Sequence, residues 1–207
     1  VSKSKSSVRW LARQSSDPYV RKAQAQGFSS RAAFKLEEIQ SRDHLIRPGM
    51  TVVDLGAAPG GWTQVAAGLV GSKGKVIALD LLPIEAPVGV HTIQGDFREP
   101  EIYAELLQIL KGRSVDLVLS DMAPNWTGIT SVDQPHAMAL AELAEEFSMQ
   151  VLATDGSFLV KVFQGEGLDL FRAQLKLHFS ELKTRKPPAS RSESREIYLL
   201  AQKKIPL

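Results

Sequence analysis

The stretch "TVVDLGAAPGGWTQVAAGLV", residues 51–70, decides how the rest of the chain is read. Thr51 to Leu55 is a β-rich apolar run. A glycine cluster follows at Gly56, Gly60 and Gly61, and the remainder has the composition of a helix. A strand, a tight glycine turn and a helix make the unit that grips nucleotide-like ligands at the helix N-terminus.

Working outward, the alternation continues. "GKVIALDL" and "HTIQGDF" read as strands, "EPEIYAELLQILKG" as a helix and "SVDLVLSDMA" as a buried strand. "PHAMALAELAEEFSMQVLA" reads as a long amphipathic helix stopped at "TDG". "GSFLVKVF" is then a strand and "LDLFRAQLKLHF" a helix. Strands alternating with helices predict an α/β fold, a doubly wound, mostly parallel sheet covered on both faces. "SELKTRK" and "REIYLLAQKK" are separated by the polar loop "PPASRSES", too short for a helix, so they should pair antiparallel. Upstream, "DPYVRKAQAQG" reads as a helix with Asp17 as N-cap, Pro18 in the first turn and Gly27 as the stop. "SSRAAFKLEEIQSR" reads as a second, capped by Ser30. The expected organisation is a basic, flexible segment over 1–16 and one domain over 17–207.

The bulk numbers exclude several classes. A chain of 207 residues, 43% hydrophobic and 23% charged, is that of a soluble globular protein, expected in the cytoplasm. No apolar run reaches the roughly 18 residues of a membrane span. The opening "VSKSKSSVRW" lacks the apolar stretch of a secretory signal. Without Cys there is no disulfide or thiolate zinc site, and the four His lack ligand spacing, so no metal is expected. The net charge of +2 hides an asymmetry. Residues 1–35 carry eight Lys/Arg against one acid, and 183–204 carry seven against two. The stretch between carries ten against twenty. Two basic ends brought together by the fold would make a surface for a polyanion.

The glycine loop departs from the dinucleotide fingerprint G-x-G-x-x-G. Ala58 stands at the second glycine's place and Pro59 follows it. A Cβ and a rigid ring make a poor pyrophosphate cradle, but leave room for an adenosine-bearing cofactor without a diphosphate. S-adenosyl-L-methionine is such a cofactor. Its contacts would be the turn of Gly56, Gly60 and Gly61, the backbone at Trp62, Asp80 for the ribose hydroxyls about 20 residues on, and Asp96 for the adenine edge. Each acid alone reads as well as a helix cap or loop carboxylate. Acids at the ends of successive strands together favour the ligand.

"DLGAAPGGW", "ALDLLP", "QGDFRE", "SDMAPNWTG" and "VKVFQGEG" jointly resemble the FtsJ-type RNA 2′-O-ribose methyltransferases, most closely the bacterial heat-shock branch acting on ribosomal RNA. The resemblance runs from about Trp10 to Ala201. It implies a Rossmann-like S-adenosylmethionine-dependent methyltransferase fold with seven strands, the last antiparallel. It also implies 2′-O-methylation of a uridine ribose in large-subunit (23S) ribosomal RNA, on the assembled or assembling subunit, by a monomer. The family's Lys-Asp-Lys-Glu tetrad falls on Lys35, Asp121, Lys161 and Glu196, and Asp121 also borders the cofactor.

The residues themselves add a physical reason. A ribose hydroxyl is a poor nucleophile and needs a base or a nearby positive charge. Lys161 lies inside the apolar run "SFLVKVF", a costly place unless it faces a site. There it acts as a neutral base or as a charge that stabilises the forming alkoxide. Asp121 would orient it, and Lys35 and Glu196 would position the ribose. Arg31, Lys35, Arg191 and Arg195 are the candidate RNA contacts. Trp126, in the loop "APNWTG", either stacks on a base or packs on its own domain. Transfer-RNA ribose methylation, a non-catalytic ribosome-assembly role and a nucleotide-dependent oxidoreductase are the competing readings. The last is disfavoured by Ala58, Pro59 and the lack of a separate substrate domain.

Overall fold

In the computed structural model, residues 17–206 are described; the segment 1–16 lies outside them. Seven strands form one sheet: β1 (Thr51–Leu55), β2 (Lys75–Asp80), β3 (His91–Gln94), β4 (Val115–Ser120), β5 (Leu152–Phe163), β6 (Phe179–Arg185) and β7 (Glu196–Lys204). Their order is β3-β2-β1-β4-β5-β7-β6. The first five are mutually parallel. β7 runs antiparallel between β5 and β6, and so completes a hairpin with β6 while reaching the middle of the sheet's second half. All five residues of β1 are buried, as a central parallel strand requires, whereas edge strand β3 buries only Ile93.

Among the described residues, six helices accompany the strands: α1 (Pro18–Gln26), α2 (Ala32–Asp43), α3 (Gly61–Val70), α4 (Pro100–Leu110), α5 (Thr130–Val151) and α6 (Leu168–His178). Alternate strand residues sort them onto two faces. Val53, Leu55, Ile77 and Val118 pack under α4, α5 and α6 through Leu106, Phe147 and Phe171. Val52, Leu117, Leu119 and Leu159 pack under α2 and α3 through Leu36, Ile39, Trp62 and Val65. The α1 helix starts and stops as its residues predict. Asp17 accepts from the Tyr19 N–H at 3.0 Å, and Gly27 takes φ 74° at the C-terminus. Among the described residues, no helix is long and apolar enough to cross a membrane.

Two local expectations are corrected. Ser30 does not cap α2: the cap position is Arg31, with no side-chain cap bond, and the Ser30 hydroxyl is buried without a partner. It instead faces the start of α3, where a Cβ on Gly61 would lie 2.4 Å from its oxygen. The α5 helix does not run to "TDG" either. It ends at Val151 because Leu152 already pairs with Val115 of β4. The register then shifts, with Leu117 opposite Ser157, and Asp155 takes φ 66°. "TDG" is therefore part of a bulge inside β5. Lysines, one half-buried and one buried, close two helix ends. Lys75 Nζ donates to Ile109 O at 2.6 Å, and Lys204 Nζ donates to Met149 O and Leu152 O.

Candidate active site

The carboxyl ends of β2, β1 and β4 lie side by side, and each carries an aspartate: Asp80, Asp54 and Asp121. Asp80 organises the glycine loop. Its Oδ2 accepts from the Ala58 N–H and its Oδ1 from the Leu82 N–H, both at 2.9 Å. Asp54 is fully buried. Thr63 Oγ1 donates to its Oδ2 at 2.7 Å, while Oδ1 has no hydrogen-bond partner. Burial pushes its carboxyl up to about 7 against the lowering effect of the Thr63 bond, and the charges of Asp121 and Asp80 add to the rise. A trio of carboxylates, one with an orphaned oxygen, repels a pyrophosphate and suits a ligand bearing cationic centres.

The glycines divide their roles. Gly56, at φ 74°, makes the turn after β1, where a Cβ would meet the Met122 backbone at 2.8 Å. Gly60, at φ 125°, leaves no room for a Cβ beside the Glu85 carbonyl. Gly61 serves the close packing of α3 on the Ser30–Ala33 turn. The Trp62 side chain is buried away from the loop. Its Nε1 donates to Ala32 O at 2.8 Å, and its ring lies 5.5 Å from that of Tyr198. Asp96 is occupied: the Arg98 side chain and backbone N–H bind both its oxygens. The Arg98 side-chain bond holds its carboxyl down to about 2. An adenine edge would share Asp96 with that guanidinium.

Beyond β4, four residues from distant parts of the chain converge. Lys161 Nζ lies 3.0 Å from Asp121 Oδ1 and donates to the Asp121 carbonyl at 2.7 Å. Lys35, on α2, pairs with Glu196 at the start of β7 at 2.6 Å. Tyr198 joins the two pairs. It is the β7 residue opposite Lys161, its hydroxyl donates to Asp121 Oδ1 at 2.9 Å, and Lys35 Nζ lies 5.7 Å from its ring centroid. Burial opposes ionisation of Asp121, but the charges of Lys161 and Lys35 and the bonds from Lys161 and Tyr198 outweigh it, so its carboxyl sits below the usual range. Burial, then Asp121 and Glu196, push the Tyr198 phenol well above its ordinary value, so it stays a hydrogen-bond donor. Only 8% of the Lys161 side chain is exposed, against 17% of Asp121. A buried ion pair with a perturbed carboxyl marks a functional site more readily than a surface ion pair does.

The two basic ends of the chain meet at this place. An open groove of about 410 Å³ is lined by Arg31, Lys35, Arg191, Ser194 and Glu196. Arg31 is spent on structure. It pairs with Asp17 and donates to the Ala189 carbonyl, binding α1 to the β6–β7 loop. Arg191 reaches Asp17 at 3.6 Å and is 40% exposed, and Arg195 is exposed. Arg185 adds a buried bridge from β6 to Asp43 of α2, with Nε and Nη2 at 2.7 and 2.6 Å. Its hydrogen bond holds the Asp43 carboxyl low against burial.

Tyr198, Asp54, Asp133 and Gln134 were not singled out from the sequence. Tyr198 looks like an ordinary strand aromatic in "REIYLLAQ", and only the need of a buried phenol for a partner hints at more. Asp54 did leave a signal, an acid inside the apolar run "TVVDL". Asp133 and Gln134 fix two loops at the rim. Asp133 accepts from Thr127 N, Thr127 Oγ1 and Gly128 N, and Gln134 Nε2 donates to Phe163 O and Glu166 O.

Comparisons with known proteins bear on the family and the fold. A family model for FtsJ-like methyltransferases matches residues 28–204. The chain is 64% identical over 196 residues to ribosomal RNA large subunit methyltransferase E of Alkalilimnicola ehrlichii, covering 95% of this chain and 94% of that one. Among solved structures, it is similar to a candidate ribosomal RNA methyltransferase from Plasmodium falciparum, with 27% identity and a TM-score of 0.77, over 86% of this chain and 98% of that one. Aeropyrum pernix fibrillarin, solved with natively bound S-adenosyl-L-methionine, shares the fold at 17% identity and a TM-score of 0.54, over 82% of this chain and 73% of that one.

Proposed function

The chain belongs to the FtsJ-like methyltransferase family, and from that premise we propose that it methylates a uridine 2′-hydroxyl in 23S ribosomal RNA, using S-adenosyl-L-methionine. The observation that carries this reading is the convergence of Lys35, Asp121, Lys161 and Glu196 beside the glycine loop. The name of the 64% identical relative supports the large ribosomal subunit as substrate.

The aspartate trio fits a sulfonium cofactor. Gly56 to Gly60 would lie along it, and Asp80 would take its ribose hydroxyls with the lone pairs that Ala58 and Leu82 leave free. When bound, S-adenosyl-L-methionine supplies an electrophilic methyl group. The protein's residues do the rest. Asp121 engages two of the three Lys161 N–H donors, through its carbonyl and its carboxylate. The third is left for the substrate hydroxyl. Lys161 thus stabilises the negative charge that builds on the 2′-oxygen as its proton passes to water and its bond to the methyl carbon replaces the sulfur–carbon bond, from a buried position where the charge acts strongly. Asp121, held ionised by both lysines and by Tyr198, fixes the direction of the ammonium. The Lys35–Glu196 pair borders the groove and positions the ribose.

The test is transfer of labelled methyl from S-adenosyl-L-methionine to large ribosomal subunits isolated from cells lacking the protein, with 2′-O-methyl mapping of the product. One labelled uridine is expected, and Lys161→Ala should abolish labelling while retaining cofactor binding. Label on transfer RNA alone, or full activity in Lys161→Ala, refutes the reading.

A further inference from the structure

The rim of the site carries an aromatic surface that the tetrad chemistry does not use. Trp126, in the loop between β4 and α5, is 51% exposed. A large apolar side chain left half in water beside a reaction centre loses the burial that would stabilise it elsewhere in the fold. The loop is nonetheless held in place. The Asp133 carboxylate accepts three hydrogen bonds at 2.8–3.0 Å from Thr127 and Gly128, the residues directly after Trp126. Its neighbour Gln134 fixes the facing turn through Phe163 O and Glu166 O. Two adjacent residues of the first turns of α5 therefore clamp both loops and bring Trp126 against Phe163.

The rings meet at 4.7 Å between centroids and 81° between planes. In an edge-to-face pair, Phe163 covers at most one face of the indole, and with the residue 51% exposed much of the ring stays open to solvent. Phe163 ends β5, two residues after Lys161, and Lys161 Nζ lies 6.0 Å from its centroid. The indole is therefore no farther from the ammonium than 4.7 Å and 6.0 Å laid end to end. One nucleotide bridges such a span, with its ribose at the ammonium and its base at the indole.

We propose that Trp126, backed by Phe163, is the platform on which the base of the target nucleotide stacks once it has left its helix, and so a positioning residue for methyl transfer. The proposal rests on the reading of the tetrad as the place of reaction. Bases extruded from RNA structure are held by stacking on aromatic rings, an interaction tolerant of base identity. Trp126 would thus hold the nucleotide in place, while choice among nucleotides comes from RNA outside the site.

The experiment uses the full chain, its Trp126→Ala and Trp126→Phe variants, and single-stranded oligouridylate as probe. Oligouridylate should quench wild-type tryptophan emission, and Trp126→Phe should lose the quench. Trp126→Ala should bind the probe about 5- to 150-fold more weakly, the range of one lost base–aromatic stack. Trp126→Phe should stay within a few fold of wild type, and all three should share one slope of log affinity against log salt, since no phosphate contact is removed. On ribosomal subunits Trp126→Ala should raise KM with S-adenosyl-L-methionine affinity unchanged. A Trp126→Ala protein that binds the probe and methylates subunits as wild type does would overturn the proposal, as would equal loss of affinity in Trp126→Phe. If wild-type protein is quenched by the probe but methylates no subunit, the functional reading fails and with it the positioning role, leaving only base stacking at Trp126.

Discussion

Replacing Asp54 by Asn tests the buried acid at the end of β1. Its carboxyl is pushed from 3.8 to about 7, chiefly by burial, with one oxygen unpartnered. Three pKa units at 1.36 kcal/mol each make the linked free energy on the order of 4 kcal/mol. The sign follows from which state holds the proton. Below pH 4 both folded and unfolded chains are protonated, and the contribution to stability is fully present. Between pH 4 and 7 the unfolded chain has released its proton and the folded one has not, so stability falls as pH rises. Above pH 7 both are ionised and the loss is complete. Asn does not titrate, so the variant lacks this slope. Its amide places donors where Oδ1 stands, at a pH-independent cost of about 1–3 kcal/mol. Urea denaturation from pH 4 to 9 should therefore give a stability difference, wild type minus variant, that drops by a few kcal/mol towards pH 7 and then levels. Subtraction cancels the titrating groups that do not interact with Asp54, Asp43 among them. A difference constant across the range would mean that Asp54 ionises as a solvated acid does. Cofactor binding offers a second reading of the same group. A cationic ligand beside the three carboxylates draws Asp54 into its charged form, so binding of S-adenosyl-L-methionine at pH 7 should release protons, visible by calorimetry in buffers of different ionisation enthalpy. In Asp54→Asn the release should vanish.

Other outcomes follow from the same geometry. Asp80→Ala should weaken S-adenosyl-L-methionine binding by roughly 10- to 150-fold, the worth of a charge-assisted hydrogen bond, and unchanged affinity by calorimetry removes Asp80 from the cofactor site. Tyr198→Phe keeps the ring against Trp62 but deletes the hydroxyl bonded to Asp121, so methyl transfer should fall while cofactor affinity holds; equal kcat in wild type and variant makes the phenol purely structural. Arg185→Met leaves the buried Asp43 carboxylate without its partner and should destabilise by about 3–5 kcal/mol in denaturant titration, a loss under about 1 kcal/mol arguing that water reaches the pair. Since Arg31 is committed to Asp17 and Ala189, the salt test of RNA binding belongs to Arg191→Ala with Arg195→Ala. That pair should flatten the slope of log affinity against log salt by about one to two units, and an unaltered slope places the RNA elsewhere.

Local chemistry and periodicity determined most of the fold. Apolar strands alternating with helices required a parallel sheet. The short polar loop before "REIYLLAQKK" required an antiparallel end. Asp17, Pro18 and Gly27 marked α1 at both ends because caps are set by residues next to one another in sequence. The glycine loop and the lysine in β5 were equally legible, each lying within one short element. The tertiary structure decided what depends on distance. It inserted β7 between β5 and β6, and that register alone sets Tyr198 opposite Lys161 and its hydroxyl on Asp121. It turned Ser30 towards Gly61 instead of the α2 backbone, absorbed "TDG" into a bulge and committed Arg31 to the Ala189 carbonyl. Each of these outcomes was settled by a partner far away in the chain, and periodicity and spacing carry no record of such partners. Charge asymmetry announced two basic ends; only folding brought Lys35 to Glu196, across 2.6 Å, and so closed them around one groove.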